Sequence, residues 1–250
     1  MITYCKISEK GSRKVNEDSV KIAVSKNKIN FMVCDGLGGH GGGDIASRIA
    51  VDEFEKAFEG YDGNPSAYFE KAFLNAQNGI NGYQKSNPSV AMMKTTVTSL
   101  IIDRQNYSWG YIGDSRIYCF ENGKAIRMTS DHSVPGMLVK AGDIEESEIR
   151  FHPDRNKLLR ALGEENAPRY VSSEYSPCGD KTAFLLCSDG FWEYVTEEEM
   201  EKTLAESKSV SEWLTMMRDI VVKNGEGRNA DNFSAVAVWR GNALDENRKG

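Results

Sequence analysis

Apolar positions along this chain gather into short runs of strand length, separated by polar turns. Residues 19–25 and 29–34 flank Lys26-Asn27-Lys28 and predict a hairpin. Residues 96–102 and 107–112 flank Asp103-Arg104-Gln105-Asn106, and residues 116–120 and 125–128 flank Glu121-Asn122-Gly123-Lys124. Asn-Gly is a strong two-residue turn signal, because both central positions of the favoured turn take positive φ. Later strands are expected at 170–175, 182–187 and 233–239.

A helical period appears in two blocks. Within 44–58, Ile45, Ile49, Phe54, Ala57 and Phe58 fall mostly on one face, and within 66–83, Phe69, Phe73, Ala76, Ile80 and Tyr83 do the same. The second block carries Val210, Trp213, Leu214, Met217, Ile220 and Val221. Residues 131–168 read as an irregular excursion with short helical pieces. Short hairpins make the sheets largely antiparallel. Helices come in pairs between groups of strands, which argues against a doubly wound parallel sheet. An α+β chain of two antiparallel sheets with helices packed outside them satisfies both observations. There is no repeat, low-complexity stretch or long linker, so one domain is expected over residues 1–241, with a polar tail at 242–250.

The 250 residues carry a net charge of −6, which disfavours a broad nucleic-acid-binding surface and leaves room for a local basic patch. No apolar run approaches the ~18–20 residues that span a bilayer. The opening Met-Ile-Thr-Tyr-Cys-Lys lacks a basic-then-apolar signal pattern, so a soluble, cytoplasmic protein without a membrane partner is expected. The five cysteines are odd in number, widely spaced and without a CxxC pair; they predict small buried hydrophobes, not disulfides or a zinc site. With only His40, His132 and His152 as histidines, a metal here would be held mainly by oxygen.

Oxygen donors recur at strand ends. Cys34-Asp35-Gly36, Gly113-Asp114-Ser115 and Ser188-Asp189-Gly190 each close an apolar strand, Asp231 precedes the strand at 233–239, and Glu17-Asp18 precede that at 19–25. A carboxylate at the end of a buried strand is held rigidly near the core. If such ends converge, repulsion and desolvation cost several kcal/mol per uncompensated ion, about what a divalent cation offsets. All-oxygen ligation suits Mg²⁺, Mn²⁺ or Ca²⁺. An aspartate that simply makes a turn is common, but five such sites argue together. Gly36-Leu37-Gly38-Gly39-His40-Gly41 fits a dinucleotide fingerprint, yet Asp35 abuts it and a second helix follows the first, so no βαβ unit is formed. The glycines instead let backbone carbonyls approach a metal.

In order along the chain, the motifs resemble those of the metal-dependent serine/threonine protein phosphatases of the protein phosphatase 2C (PPM) type, in their compact bacterial form. They are Arg13-Lys14-Val15-Asn16-Glu17-Asp18, Asp35-Gly36-Leu37-Gly38-Gly39-His40, Lys94-Thr95-Thr96, Gly113-Asp114-Ser115-Arg116, Thr129-Ser130-Asp131-His132-Ser133, Arg160-Ala161-Leu162-Gly163, Cys187-Ser188-Asp189-Gly190 and Asp231-Asn232. The resemblance runs from about Ile2 to Arg240 and implies a four-layer α-β-β-α sandwich. It implies hydrolysis of phosphoserine and phosphothreonine in proteins by attack of a hydroxide bridging two Mn²⁺ or Mg²⁺ ions. Asp35 would bridge the ions, the Gly36 carbonyl would join one, and Asp189 and Asp231 would complete the other. Asp18 and Glu17 would hold metal-bound waters, Asp114 with Asp189 a weaker third ion, and Arg13 the substrate phosphate.

Three positions depart from the family pattern. Leu37 stands where many relatives carry a histidine proposed as general acid, which leaves His40 as a candidate. Lys94 replaces a usual glycine. Glu193 stands where many relatives have an aspartate for the third ion. Asp131 and His132 are expected to order the flap at 131–168, and Trp109, Trp192, Trp213 and Trp239 to pack in the core. By analogy with bacterial relatives a serine/threonine kinase is the expected opposing partner, and the chain a monomer. The competing class is a non-catalytic, phosphatase-like binding module that senses metal or phosphorylated partners; loss of metal ligands would signal it, and none is lost.

Overall fold

The computed structural model describes residues 1–38 and 41–241. His40 and the tail at 242–250 therefore lie outside the described residues. In chain order the strands and helices are β1 (Ile2–Glu9), β2 (Ser19–Ser25), β3 (Lys28–Cys34), β4 (Gly36–Leu37), α1 (Gly43–Glu59), α2 (Pro65–Ser86), β5 (Lys94–Thr95), β6 (Val97–Asp103), β7 (Asn106–Ile112), β8 (Arg116–Glu121) and β9 (Lys124–Arg127). They continue with α3 (Val134–Ala141), β10 (Val171–Ser172), β11 (Ser176–Pro177), β12 (Thr182–Cys187), α4 (Asp189–Trp192), α5 (Glu197–Glu206), α6 (Val210–Gly225) and β13 (Phe233–Arg240).

One sheet has the order β1-β13-β12-β8-β9, the other β10-β7-β6-β3-β2 with β11 also on β7, and every pairing is antiparallel. The alternation of strand side chains divides the core into three parts. Phe31 and Val33 of β3, Leu100 of β6, Phe184 and Leu186 of β12 and Val236 of β13 meet between the sheets. Met32 and Cys34 of β3 face the other way, onto Phe54 of α1 and Phe69 and Phe73 of α2. Leu185 and Cys187 of β12 face Trp213 and Met217 of α6. The layers are therefore α-β-β-α. Helix α1 leads into α2 and not into a parallel strand, so the glycine-rich segment before it opens no dinucleotide-binding unit.

Register places the site. In the second sheet Ser19 of β2 pairs with Cys34 of β3, Val33 with Thr98 of β6, and Val97 with Ile112 of β7. Residues 17–18, 35–36, 95–96 and 113–114 thus emerge at one end. In the first sheet Cys187 of β12 pairs with Arg116 of β8 and with Ala235 of β13, which puts 115, 188–189 and 231–232 at one end. The short link from β7 to β8 joins those two ends. Gly113 makes that link with φ +104, and a Cβ there would lie 2.5 Å from Thr96 Cγ2. Gly113→Ala is expected to destabilise the fold by about 2 kcal/mol, read as a lower urea midpoint at unchanged m-value.

The expected strand at 170–175 is broken. Ser173 takes a place in the ladder with its side chain, accepting from Trp109 N–H at 3.0 Å, while its carbonyl accepts from Ser108 Oγ at 2.7 Å. Two bridges, Val171–Ser172 and Ser176–Pro177, remain on β7. Cys34, Cys119, Cys178 and Cys187 are buried thiols as expected, and Cys5 is only half-buried. Trp192, Trp213 and Trp239 join the core between the first sheet and its helices. Trp109 packs against the inter-sheet core. Among the described residues no helix is long and apolar enough to cross a membrane.

Candidate active site

The strand ends open into a cleft of about 500 Å³ lined by Asp35, Gly36, Asp114, Asp189 and Asp231, with Arg13 and Glu17 at its wall. Its floor is built by the threonines after α2. Asp35 N–H donates to Thr96 Oγ1 at 3.0 Å, and the Asp35 carbonyl accepts from Thr96 N–H at 2.8 Å and Thr95 Oγ1 at 2.9 Å. These bonds occupy the Asp35 main chain and leave its carboxyl to the cleft. Gly36 must be glycine, because a Cβ would lie 2.1 Å from the Gly43 carbonyl oxygen and 2.4 Å from that of Glu17. That close approach holds the Gly36 main chain at the cleft.

The carboxyl groups crowd one another. Burial, then Asp189, Asp18 and Asp114, push the Asp35 carboxyl well above the ordinary range. Burial raises the Asp189 carboxyl as well, with Asp231 adding to the rise. Burial and Asp189 raise Asp114 likewise. Asp18 is pushed up to about 7 by burial, against hydrogen bonds from Ser234 and Ser188 and with Asp189 and Asp231 adding to the rise. Ser188 Oγ donates to Asp18 Oδ2 at 2.8 Å, while Asp18 Oδ1 is buried with no hydrogen-bond partner. Glu17, half-buried, is raised by burial and Asp44.

Arg13, Glu17, Asp35, Gly36, Asp114, Asp189 and Asp231 line the cleft together, whereas Asp18 is buried outside its lining and Glu193 lines a neighbouring cleft, both within reach of the Asp189 charge. Arg13 lies against Asp231, donating from Nη2 to Oδ2 at 2.9 Å, and both side chains stay open to solvent at 45% and 42% exposure. Glu193 is pushed up to about 7, by burial and then by Asp189, and accepts from Arg155 Nε at 3.0 Å. Leu37 lines the cleft and has no proton to give.

Sequence reasoning assigned no role to Asn232. Its Oδ1 accepts from Glu17 N–H at 2.8 Å, and its Nδ2 donates to the carbonyls of Lys10 and Val15 at 2.9 and 3.0 Å. It therefore ties the loop carrying Arg13 and Glu17 to the strand end carrying Asp231. Trp192, read as core, also donates from its indole to the Asp114 carbonyl at 3.0 Å, and its ring lies 3.5 Å from the Arg116 guanidinium. Arg116 in turn grips Asp131 with two bonds of 3.1 and 2.7 Å. The first residue of the flap is thus anchored beneath the site.

Among the described residues no three His, Cys, Asp or Glu side chains are gathered closely enough to enclose an ion by themselves. The donor set still fits divalent cations. It is all oxygen, includes a main-chain carbonyl position at Gly36, contains an unpartnered buried oxygen on Asp18, and carries repulsion that cations offset.

The comparisons agree with that geometry. A family model described as protein phosphatase 2C matches residues 8–223. A serine/threonine phosphatase stp of Listeria innocua is 31% identical over 231 residues, covering 90% of each chain. The crystal structure of the Mycobacterium tuberculosis serine/threonine phosphatase PstP/Ppp superposes with a TM-score of 0.83 at 27% identity, covering 96% of this chain and 99% of that one. The catalytic domain of PstP in complex with two manganese ions superposes with a TM-score of 0.82 at 26% identity over 95% and 97%. The chain belongs to the protein phosphatase 2C family.

Proposed function

We propose that this chain hydrolyses phosphoserine and phosphothreonine monoesters of proteins in the carboxylate cleft. The observation that carries the reading is the convergence of Asp35, Asp114, Asp189 and Asp231 from both sheets onto one cleft beside Arg13, with Asp18 buried close enough to feel Asp189 and Asp231. Asp35, the Gly36 carbonyl, Asp189 and Asp231 would hold two Mn²⁺ or Mg²⁺ ions, with Asp18 and Glu17 supporting bound waters and Asp114, Asp189 and Glu193 a weaker third ion. When bound, such ions supply an activated water and neutralise charge on the transferring group.

The chain's own residues do the rest. The threonine floor fixes the Asp35 main chain, so its carboxyl is preorganised. Asn232 holds the Arg13 loop in register with Asp231. The Arg13 guanidinium exchanges Asp231 for the phosphate oxygens of the substrate, which its planar fork binds in pairs. Its exposure allows that exchange.

Residues 1–241 would form one catalytic domain, with the flap at 131–168 shaping the substrate approach. Substrates are phosphorylated proteins, and a serine/threonine kinase would oppose the enzyme. A cytoplasmic, monomeric signalling role without a membrane partner completes the reading, and the net charge of −6 disfavours a broad nucleic-acid-binding surface. The test is phosphate release from a phosphothreonine peptide with Mn²⁺, with Mg²⁺ and with chelator. Release that needs the metal is expected. A folded, Mn²⁺-loaded protein that releases none would sink the reading.

A further inference from the structure

We propose that a second cleft, beside the carboxylate one, binds a second phosphoryl group on the same peptide substrate. This inference rests on the phosphatase reading above. The second cleft has a volume of about 380 Å³ and shares Arg13 and Asn156 with the first. A peptide whose scissile phosphate sits at the carboxylates therefore passes its mouth.

Its chemistry is the opposite of its neighbour's. Arg13, Arg150, Arg155 and Arg228 line it, against one carboxylate, Glu193. That is a surplus of positive charge in a chain whose net charge is −6. The arginines come from three segments, Arg150 and Arg155 sharing one, and are held by separate means. Arg150, with its side chain 9% exposed, donates to Glu197 Oε2 at 2.7 Å and lies 5.5 Å from the Trp192 ring. Its Nη1 is buried with no hydrogen-bond partner. Arg155 spends its Nε on Glu193. Arg228 is exposed, pairs with no carboxylate among the described residues, and lies 5.9 Å from the Tyr194 ring, which orients its guanidinium. Several guanidinium forks around one small space match a phosphoryl dianion, which presents three acceptor oxygens. Phe151, 84% exposed at the rim, offers the intervening peptide an apolar surface.

The test compares Mn²⁺-dependent hydrolysis of a singly phosphorylated peptide with that of peptides carrying a second phosphothreonine at successive positions on either side. Fluorescence anisotropy of the same peptides reads binding independently of turnover. At the best spacing kcat/KM is expected to rise about tenfold, and affinity with it. The gain should shrink with added salt. In Arg228→Ala the ratio of doubly to singly phosphorylated peptide should fall toward one, and Arg228→Lys should restore part of it. Four results would each overturn the proposal: no gain at any spacing, an equal gain with glutamate in place of the second phosphate, an equal gain from free inorganic phosphate, or an unchanged ratio in Arg228→Ala. Absence of any hydrolysis of the singly phosphorylated peptide would instead remove the phosphatase reading, and anisotropy would still decide whether the second phosphate is bound.

Discussion

Asp35→Asn should lower Mn²⁺-dependent hydrolysis of a phosphothreonine peptide by on the order of 10³-fold, while leaving the protein in chelator at least as stable as wild type. The two halves of that expectation have one cause. Asp35 is 9% exposed, and its carboxyl is held far above the ordinary range by burial and by Asp189, Asp18 and Asp114. In chelator an ionised Asp35 is therefore a burden that the neutral amide removes. The backbone should not move, because Thr95 and Thr96 grip the Asp35 main chain and not its side chain. On the proposed reading the same carboxylate would hold the Mn²⁺ ions, so its loss would remove the machinery for activating water. Thermal unfolding checks the link: Mn²⁺ should raise the wild-type Tm more than that of the variant. A variant within tenfold of wild-type activity would mean that Asp35 does not hold the ions.

Much of this site is legible in the sequence because strand ends are. An apolar run that stops at Cys34-Asp35 or Cys187-Ser188-Asp189 announces both a buried strand and a rigid carboxylate. The Asn-Gly turn is equally local, and Asn122 and Gly123 take the positive φ values it requires, 53 and 77. Strand β1 shows in the sequence only as a strand-like run around Cys5, and helix α5 not at all, for physical reasons. Strand β1 sits at the edge of its sheet, alternates weakly, and gains its place from pairing along all of β13. Helix α5 reads Glu-Glu-Glu-Met-Glu-Lys-Thr-Leu-Ala-Glu and buries only Met200, Thr203 and Leu204, too narrow a stripe to stand out. What stays illegible is the joining of distant residues. Nothing near Arg13 announces that it will lie on Asp231, and nothing near Arg150 or Arg228 announces that they share a cleft with it. Such pairings are decided by which strand ends the register brings side by side.

Histidine 132 shows how much can hang on such a pairing. Its Nδ1 accepts the Gly113 N–H at 3.1 Å, the His132 main-chain N–H donates to the Gly113 carbonyl at 3.0 Å, and the His132 carbonyl accepts from Leu159 N–H at 2.7 Å. The ring stacks on Tyr111 with centroids 4.8 Å apart, and Nε2 is buried without a partner. A charged imidazole would need Nδ1 to donate, facing another donor. Burial first, then Arg160, Lys140 and Arg169, with Asp131 opposing them, pull its pKa down from 6.5 to about 4. Because the folded value lies below the unfolded one, the stability that depends on neutral His132 is complete above about 6.5 and is lost progressively as pH falls to about 4. The full loss is about 3 kcal/mol. His132→Asn isolates it, since Asn Oδ1 accepts from the Gly113 N–H without a proton to gain. The stability difference between wild type and His132→Asn, measured in urea at neutral pH and near the lower limit, should shift against wild type by that amount in acid. Carboxylates elsewhere contribute equally to both proteins and cancel. Hydrogen exchange at the Gly113 and Leu159 amides should quicken before global unfolding, because these bonds pin the flap to the link that carries Asp114. A difference that stays constant with pH would show that His132 titrates normally and that the flap is held by the Arg116–Asp131 pair instead.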